Sequence, residues 1–195
     1  KKLREKTQGQ LIVKEYPTAS AHAGHFKSLI NELALKKSFR PDVIFIDYLN
    51  ICASSRFKGG NISSYFYIKA IAEELRGLAV EQNVPIFSAT QTTRTGFVST
   101  DIGLEDTSES FGLPATADFM FALMSNEELE ALGQMKVKQL KNRYNDPSVN
   151  RAFIIGVDRA KMRLYDVQQA SQNIVDSGQV EEKEDAYNKF SDFKL

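Results

Sequence analysis

PDVIFIDYLN, residues 41–50, carries the pattern that decides the fold of this chain. Val43, Ile44, Phe45 and Ile46 run without a break into Asp47. A continuous apolar run suits a strand buried on both faces, the habit of parallel sheets. The acid stands where the chain leaves that apolar interior, and in open parallel sheets this is the end at which ligands bind.

The neighbouring sequence repeats the alternation of strand and helix. LIVKEYP (11–17) has the β-branched and aromatic content of a strand, stopped by Pro17. Phe26, Leu29, Ile30, Leu33 and Ala34 recur at helical spacing, predicting a helix that ends near Lys37. After VIFID (43–47), ASSRFKGGNISS (53–64) has the glycine pair and serines of a loop. Phe66, Ile68, Ile71, Ala72, Leu75, Leu78 and Ala79 then predict an amphipathic helix reaching about Gln82. VPIFSAT (84–90) is a third strand, followed by a long polar segment and a fourth strand, FMFALM (119–124). Parallel strands joined by right-handed crossovers are the expected arrangement for this order. Segments 135–142, 151–158 and 163–167 are separated only by NDPSVN and RAKM, short enough for hairpins. The expected fold class is α/β: a parallel sheet core flanked by helices, with an antiparallel C-terminal extension. Residues 1–167 form the folded portion, and 168–195 read as an acidic, loose tail.

The composition is that of an ordinary globular domain, and 195 residues suffice for one core. Lys+Arg and Asp+Glu are 25 each, so the overall charge selects no partner. The distribution is polarised: eight basic residues lie between Lys136 and Arg163, whereas the tail carries six acids against three lysines. Cys52 is the single cysteine, which excludes an internal disulfide and fits a reducing, cytoplasmic compartment. No apolar run has transmembrane length, so no membrane role is expected. The start, KKLREKTQGQ, lacks an initiator Met and reads like the end of a helix, as in a fragment of a longer protein.

Asp47 can hold Mg²⁺, directly or through waters, as the metal neutralises nucleotide phosphates. It can equally cap a turn or pair with an Arg. The next strand also ends in polar residues, Ser88-Ala89-Thr90-Gln91. If the two strands are neighbours, Gln91 lies beside Asp47, and its amide could touch a γ-phosphate or an attacking water. A solvated strand end is the plainer reading of the same residue.

Five phrases in order sharpen the choice: IDYLN, ELRGLAVEQNVPIF, SATQTTR, ESFGLPATADFMFAL and LKNRYND. They resemble the IDYLQL, "LA-E--VPV", SQLNR, "RESG…DAD" and K-Q-R phrases of DnaB-type replicative helicases. The likeness is greatest to the T-even phage type and extends from about Leu11 to Val167. It implies a RecA-like ATPase fold, a ring hexamer, and ATP-driven movement on single-stranded DNA at the replication fork, in the cytoplasm of a phage-infected host. ATP and Mg²⁺ are the implied cofactors. Carried over by position, Asp47 is similar to the Walker B metal-site residue and Gln91 to the phosphate-sensing glutamine. Lys141 and Arg143 match the Lys and Arg that reach the ATP site of a neighbouring subunit. An Arg delivered in trans can supply roughly 10³–10⁵ in rate. Exposed strand-end charges, or direct contacts to DNA phosphates, are the other readings of this pair.

In the family, the loops after the Walker B and sensor strands face the DNA channel. Here these are 53–64, with Arg56 and Lys58, and 92–110, with Arg94. Basic loops repeated around a ring give a salt-sensitive track for a DNA backbone. Glu109 matches the Glu of "RESG" and is expected to couple the nucleotide and DNA sites. One departure is clear: there is no G-x-x-x-x-G-K-[ST] phosphate-binding loop in these residues. The N-terminal part of the domain, with that loop and the water-activating carboxylate, is therefore expected upstream, and these residues alone are expected to be inactive. Two alternatives share the strand pattern: a RecA-type recombinase core, and a non-enzymatic RecA-like scaffold. In the tail, Tyr187, Phe190 and Phe193 stand among acids, a pattern suited to docking a primase, helicase loader or polymerase. His22 and His25 have no partners at zinc spacing. Cys52, with no nearby general base, reads as a small buried apolar residue. Phe119, Phe121 and Met124 read as core.

Overall fold

The computed structural model describes residues 9–57, 62–92, 103–104, 112–146 and 149–168. They divide into two compact units, the first drawn from Lys1–Val98 and Asp106–Ala117, the second from Ser99–Glu105 and Asp118–Leu195.

In the first unit, helix α1 spans Ala23–Lys37, strand β1 Ile44–Ile46, helix α2 Ser64–Gln82, strand β2 Ile86–Ser88 and the short helix α3 Gly112–Thr116. A single 3₁₀ turn, Leu49–Ile51, follows β1. Strands β1 and β2 pair in parallel, Ile44 opposite Ile86 and Ile46 opposite Ser88. Helix α2 is the crossover between them. Asn83 in the left-handed conformation (φ 53°) ends α2, its N–H returning to Ala79 and Val80, and Pro85 then leads into β2. The start of α1 is capped by its own histidines. His22 Nδ1 accepts from the Gly24 N–H at 3.0 Å, and His25 Nδ1 accepts from the His22 N–H at 3.2 Å. That is the task of the two residues for which the sequence offered none.

The core of this unit gathers Leu49, Cys52, Ile68, Ile71, Ala72, Leu75 and Leu113, with Phe26, Ile46 and Tyr67 against it. Positions 68, 71, 72 and 75 are one face of α2, the i, i+3, i+4, i+7 spacing of a helix that buries a single stripe.

Three expectations for the strands need correction. Residues 11–17 form no strand; Leu11 and Val13 are 75% and 83% exposed, so β-prone residues without a covering layer make no ladder. The apolar run at 43–46 is not buried on both faces. Ile46 faces the core, but Phe45 is 73% exposed and stacks on Phe87 of β2, with ring centroids 5.3 Å apart. Finally, FMFALM is not a further parallel strand.

That segment is β3, Phe119–Met124, the edge of the antiparallel sheet of the second unit. Helix α4, Glu127–Ala131, follows it, capped where Asn126 Oδ1 accepts from the Leu129 N–H at 2.8 Å. Strands β4 (Gln134–Asn142), β5 (Ala152–Asp158) and β6 (Arg163–Asp166) complete the order β3-β4-β5-β6, as the hairpin spacings predict. Ala122 and Met124 are buried on one face of β3, whereas Phe119 and Phe121 point to the other and remain about half exposed. Of the three residues expected in the core, only Met124 is there, because the period-two alternation of a strand splits 121 from 124.

Ile71, 1% exposed at the centre of the α2 stripe, gives this packing a direct test. Ile71→Ala is expected to lower the unfolding free energy by about 2–5 kcal/mol, read as a drop in the urea midpoint with little change in slope.

Candidate functional site

The carboxyl ends of β1 and β2 are stitched together residue by residue. Ser88 Oγ donates to the Ile46 carbonyl at 2.9 Å, and the Leu49 N–H donates to the Ala89 carbonyl at 3.1 Å. Thr90 Oγ1 donates to Asn50 Oδ1 at 2.8 Å, and Gln91 Nε2 makes a longer contact, 3.5 Å, to the Tyr48 hydroxyl. Asp47 is exposed at this edge, beyond the last residue of β1, and the Asp47–Tyr48 peptide is cis. The parallel pairing thus brings Asp47 and Gln91 to one edge, with Tyr48 as the residue Gln91 reaches. Tyr48, Asn50 and Thr90 are partners that the sequence reading missed; the parallel register was the signal that could have placed 50 opposite 90.

The oxygen donors at this edge suit a hard cation. Mg²⁺ is usually held by one or two carboxylates, waters and substrate phosphates rather than by a full protein cage. Asp47, with no ion pair among the described residues, fits that demand. Among the described residues there is also no group of three His, Cys, Asp or Glu side chains that could bind a metal by themselves.

The loop leaving β1 is held by helix α2. Glu74 accepts from Ser54 Oγ at 2.6 Å, from the Ser55 N–H at 2.9 Å and from Ser55 Oγ at 2.8 Å, with the Arg56 N–H farther off at 3.4 Å. Arg56 Nη1 forms an ion pair with Glu73. Partial burial pushes the Glu74 carboxyl upward, but the donors from Ser54, Ser55 and Arg56 outweigh it and hold it below the usual glutamate value. Neither acid was singled out from sequence, because 18 residues separate Glu74 from Arg56 and no local pattern links them. Lys58, Arg94 and Glu109 lie outside the described residues, as does the tail from residue 169.

Lys141 and Arg143 belong to the second unit. The β3–β4 ladder is broken between Met120 and Phe121: Met120 pairs with Lys141, but Phe121 pairs with Gln139. Leu140 is the extra residue of this bulge and packs on Ala122 and Met124. One inserted residue changes which face every later side chain takes, so Lys141 shares its face with Lys138 and Lys136 rather than with Gln139. Arg143 follows directly; its N–H donates to the Asp118 carbonyl at 2.9 Å and its guanidinium sits 3.5 Å from the Asp118 carboxylate, exposed at the strand end.

Cys52 is in the core, with its thiol 3.7 Å from the Tyr48 carbonyl. Burial pushes its thiol above the usual cysteine value, which disfavours the reactive thiolate.

A parallel pair bearing an acid and an amide at one edge, followed by an antiparallel sheet, is an arrangement of the RecA-like ATPase class. Two solved structures carry the same fold: an isolated ATPase domain, and a DnaB-like replicative helicase described with its interactions with primase. Each has a TM-score of 0.63 and 18% identity over 76% of this chain, covering 52% and 35% of those chains respectively. In sequence, this chain belongs to the family of the DnaB-like replicative helicase of Enterobacteria phage T4, to which it is 43% identical over 194 residues. That match takes in 96% of this chain and 41% of the phage T4 protein, so the chain spans well under half the length of its relative. No family model matches the chain.

Two outcomes follow from this geometry. Cys52 is expected to react with a thiol reagent at mildly alkaline pH far more slowly in the folded chain than in urea. Glu74, with its value lowered by folding, contributes stability that is present above the ordinary glutamate range and lost as pH falls through the lowered value. The difference in urea midpoint between the wild type and Glu74→Gln should therefore be full at neutral pH and shrink in acid.

Proposed function

We propose that this chain is part of a ring-forming, ATP-driven replicative helicase that moves along single-stranded DNA and unwinds the duplex at the fork. The observation that carries this reading is the 43% identity to the phage T4 DnaB-like helicase along almost the whole chain. The shared edge of Asp47 and Gln91 supports it, because phosphoryl transfer is catalysed mainly by positioning and by neutralising charge. In this reading Asp47 holds Mg²⁺ against nucleotide phosphates, and Gln91 contacts the γ-phosphate or orients water. Bound ATP would supply the phosphoryl group whose transfer to water drives movement.

Lys141 and Arg143 act on a neighbouring subunit's nucleotide. Ring interfaces are heterologous, so a basic strand end on one protomer meets a different surface on the next. Arg143 suits this role because it is exposed and its carboxylate partner, Asp118, is held at a loose 3.5 Å. Arg56, with Lys58 and Arg94 from the same two loops, contacts DNA phosphates, and Glu109 couples the two sites. The missing phosphate-binding loop belongs to the remainder of the intact protein, so the 195 residues alone should not hydrolyse ATP appreciably. The acidic tail, 168–195, docks a replication partner such as a primase, loader or polymerase.

Arg143→Ala in the intact protein is expected to lower DNA-stimulated ATP hydrolysis by about 10³-fold or more while nucleotide binding persists. Wild-type turnover in that variant would remove the trans-acting role. Electron micrographs showing open filaments instead of rings would replace the helicase reading with a recombinase.

A further inference from the structure

Helix α2 turns Ile68, Ile71, Ala72 and Leu75 into the core, which leaves Glu73 and Glu74 at the margin of that stripe. Both acids meet the chain that has just left β1. Ser54 is nearly buried, its N–H donating to the Tyr67 hydroxyl at 3.2 Å and its Oγ to Glu74 at 2.6 Å. Ser55 donates both its N–H and its hydroxyl to the same carboxylate. Hydrogen bonds to an ionised carboxylate are roughly twice as strong as neutral ones, and here several converge from consecutive residues. The stem of the loop is thereby fixed to the helix at Ser54 and Ser55, and Arg56 is the next residue.

The Arg56 guanidinium is not fixed in the same way. Its partner Glu73 is on the helix surface, and the side chains of both are at least a third exposed. Lys69, one turn back, stands 3.9 Å from Glu73 as a second cation for the same acid. Exposed ion pairs are weak and screened by salt, so Arg56 can exchange Glu73 for another anion without disturbing the clamp on Ser54 and Ser55.

We infer that Glu74 is a positioning residue that clamps the stem of the DNA-contacting loop, and that Glu73 holds Arg56 in an ion pair which single-stranded DNA phosphate displaces. The inference rests on the reading of this loop as a DNA contact. The clamp limits the positions Arg56 can occupy before DNA arrives, which reduces the ordering lost on binding. Glu73 acts in the opposite sense, as an intramolecular competitor that keeps affinity for DNA lower than the loop could otherwise reach. It also gives Lys69 a role in relieving Glu73 once Arg56 has left.

The test uses the intact protein, oligo-dT binding followed by fluorescence anisotropy across a salt series, and amide hydrogen exchange. Glu73→Gln is expected to tighten binding roughly two- to fivefold, the worth of an exposed ion pair, and to steepen the salt dependence by up to about one counterion. That gain must vanish when Arg56→Ala is added. Glu74→Ala is expected to speed exchange of the Ser55 and Arg56 amides and to weaken DNA binding about tenfold, while DNA-free ATP hydrolysis stays unchanged. Glu74→Asp should recover part of the binding. If Glu74→Ala fails to fold, the double variant Ser54→Ala and Ser55→Ala removes the donors without touching the helix and should weaken DNA binding in the same direction. Faster exchange with unchanged DNA affinity, or no effect of Glu73→Gln while Arg56→Ala weakens binding, overturns the inference and leaves the loop reading standing. If Arg56→Ala itself leaves DNA affinity unchanged, the loop reading fails and the inference falls with it, whatever the amides show.

Discussion

The first unit depends on one contact: the apolar stripe of α2 against the turn that follows β1. Ile68, Ile71, Ala72 and Leu75 bury on Leu49 and Cys52, while Ile46 packs beside them. A parallel pair of three-residue strands has too little ladder to stand alone. Packed on a helix, the same pair becomes a rigid edge, and Asp47, Tyr48 and Asn50 emerge from it opposite Ala89, Thr90 and Gln91. The helix does more than bury its stripe, because its next residues, Glu73 and Glu74, receive the loop that continues from that edge. One element therefore sets the position of both the strand-end acid and the basic loop.

The antiparallel sheet achieves its placement by irregularity instead. Without the bulge at Leu140, strict alternation would have put Lys141 on the face of Gln139 and Val137. With it, Lys141 moves to the face of Lys136 and Lys138, while Arg143 leaves the strand end beside Asp118. A bulge leaves no periodic trace in sequence, since the residues on either side remain apolar and basic in ordinary proportion. The LKNR phrase could be matched to a family pattern, but the face on which its lysine stands could not be read from it.

The helices were legible because a buried stripe imposes its 3.6-residue period on the sequence. Both α1 and α2 stand where that period placed them. Strand ends were legible for a related reason: an apolar run closing on Asp47, and a second closing on polar residues, mark where chains leave an interior. The strand content of 11–17 misled, since β-branched residues describe what a strand prefers and not whether a partner strand is adjacent. The same limit applies to Phe45, whose apolar neighbours suggested two buried faces where one is open.

By itself the sequence determined the order of elements, the hairpin spacing of the last three strands, and the acid and amide that end two successive apolar runs. These are local properties, set by side-chain period and by turn length. Only the tertiary structure decided that β3 joins the antiparallel sheet, that Gln91 reaches Tyr48, that a bulge turns Lys141, and that Glu73 and Glu74 take hold of the loop at Arg56. Each of these is a contact between residues distant in the chain, and such contacts depend on how packed elements bring their surfaces together, which no short stretch of sequence encodes.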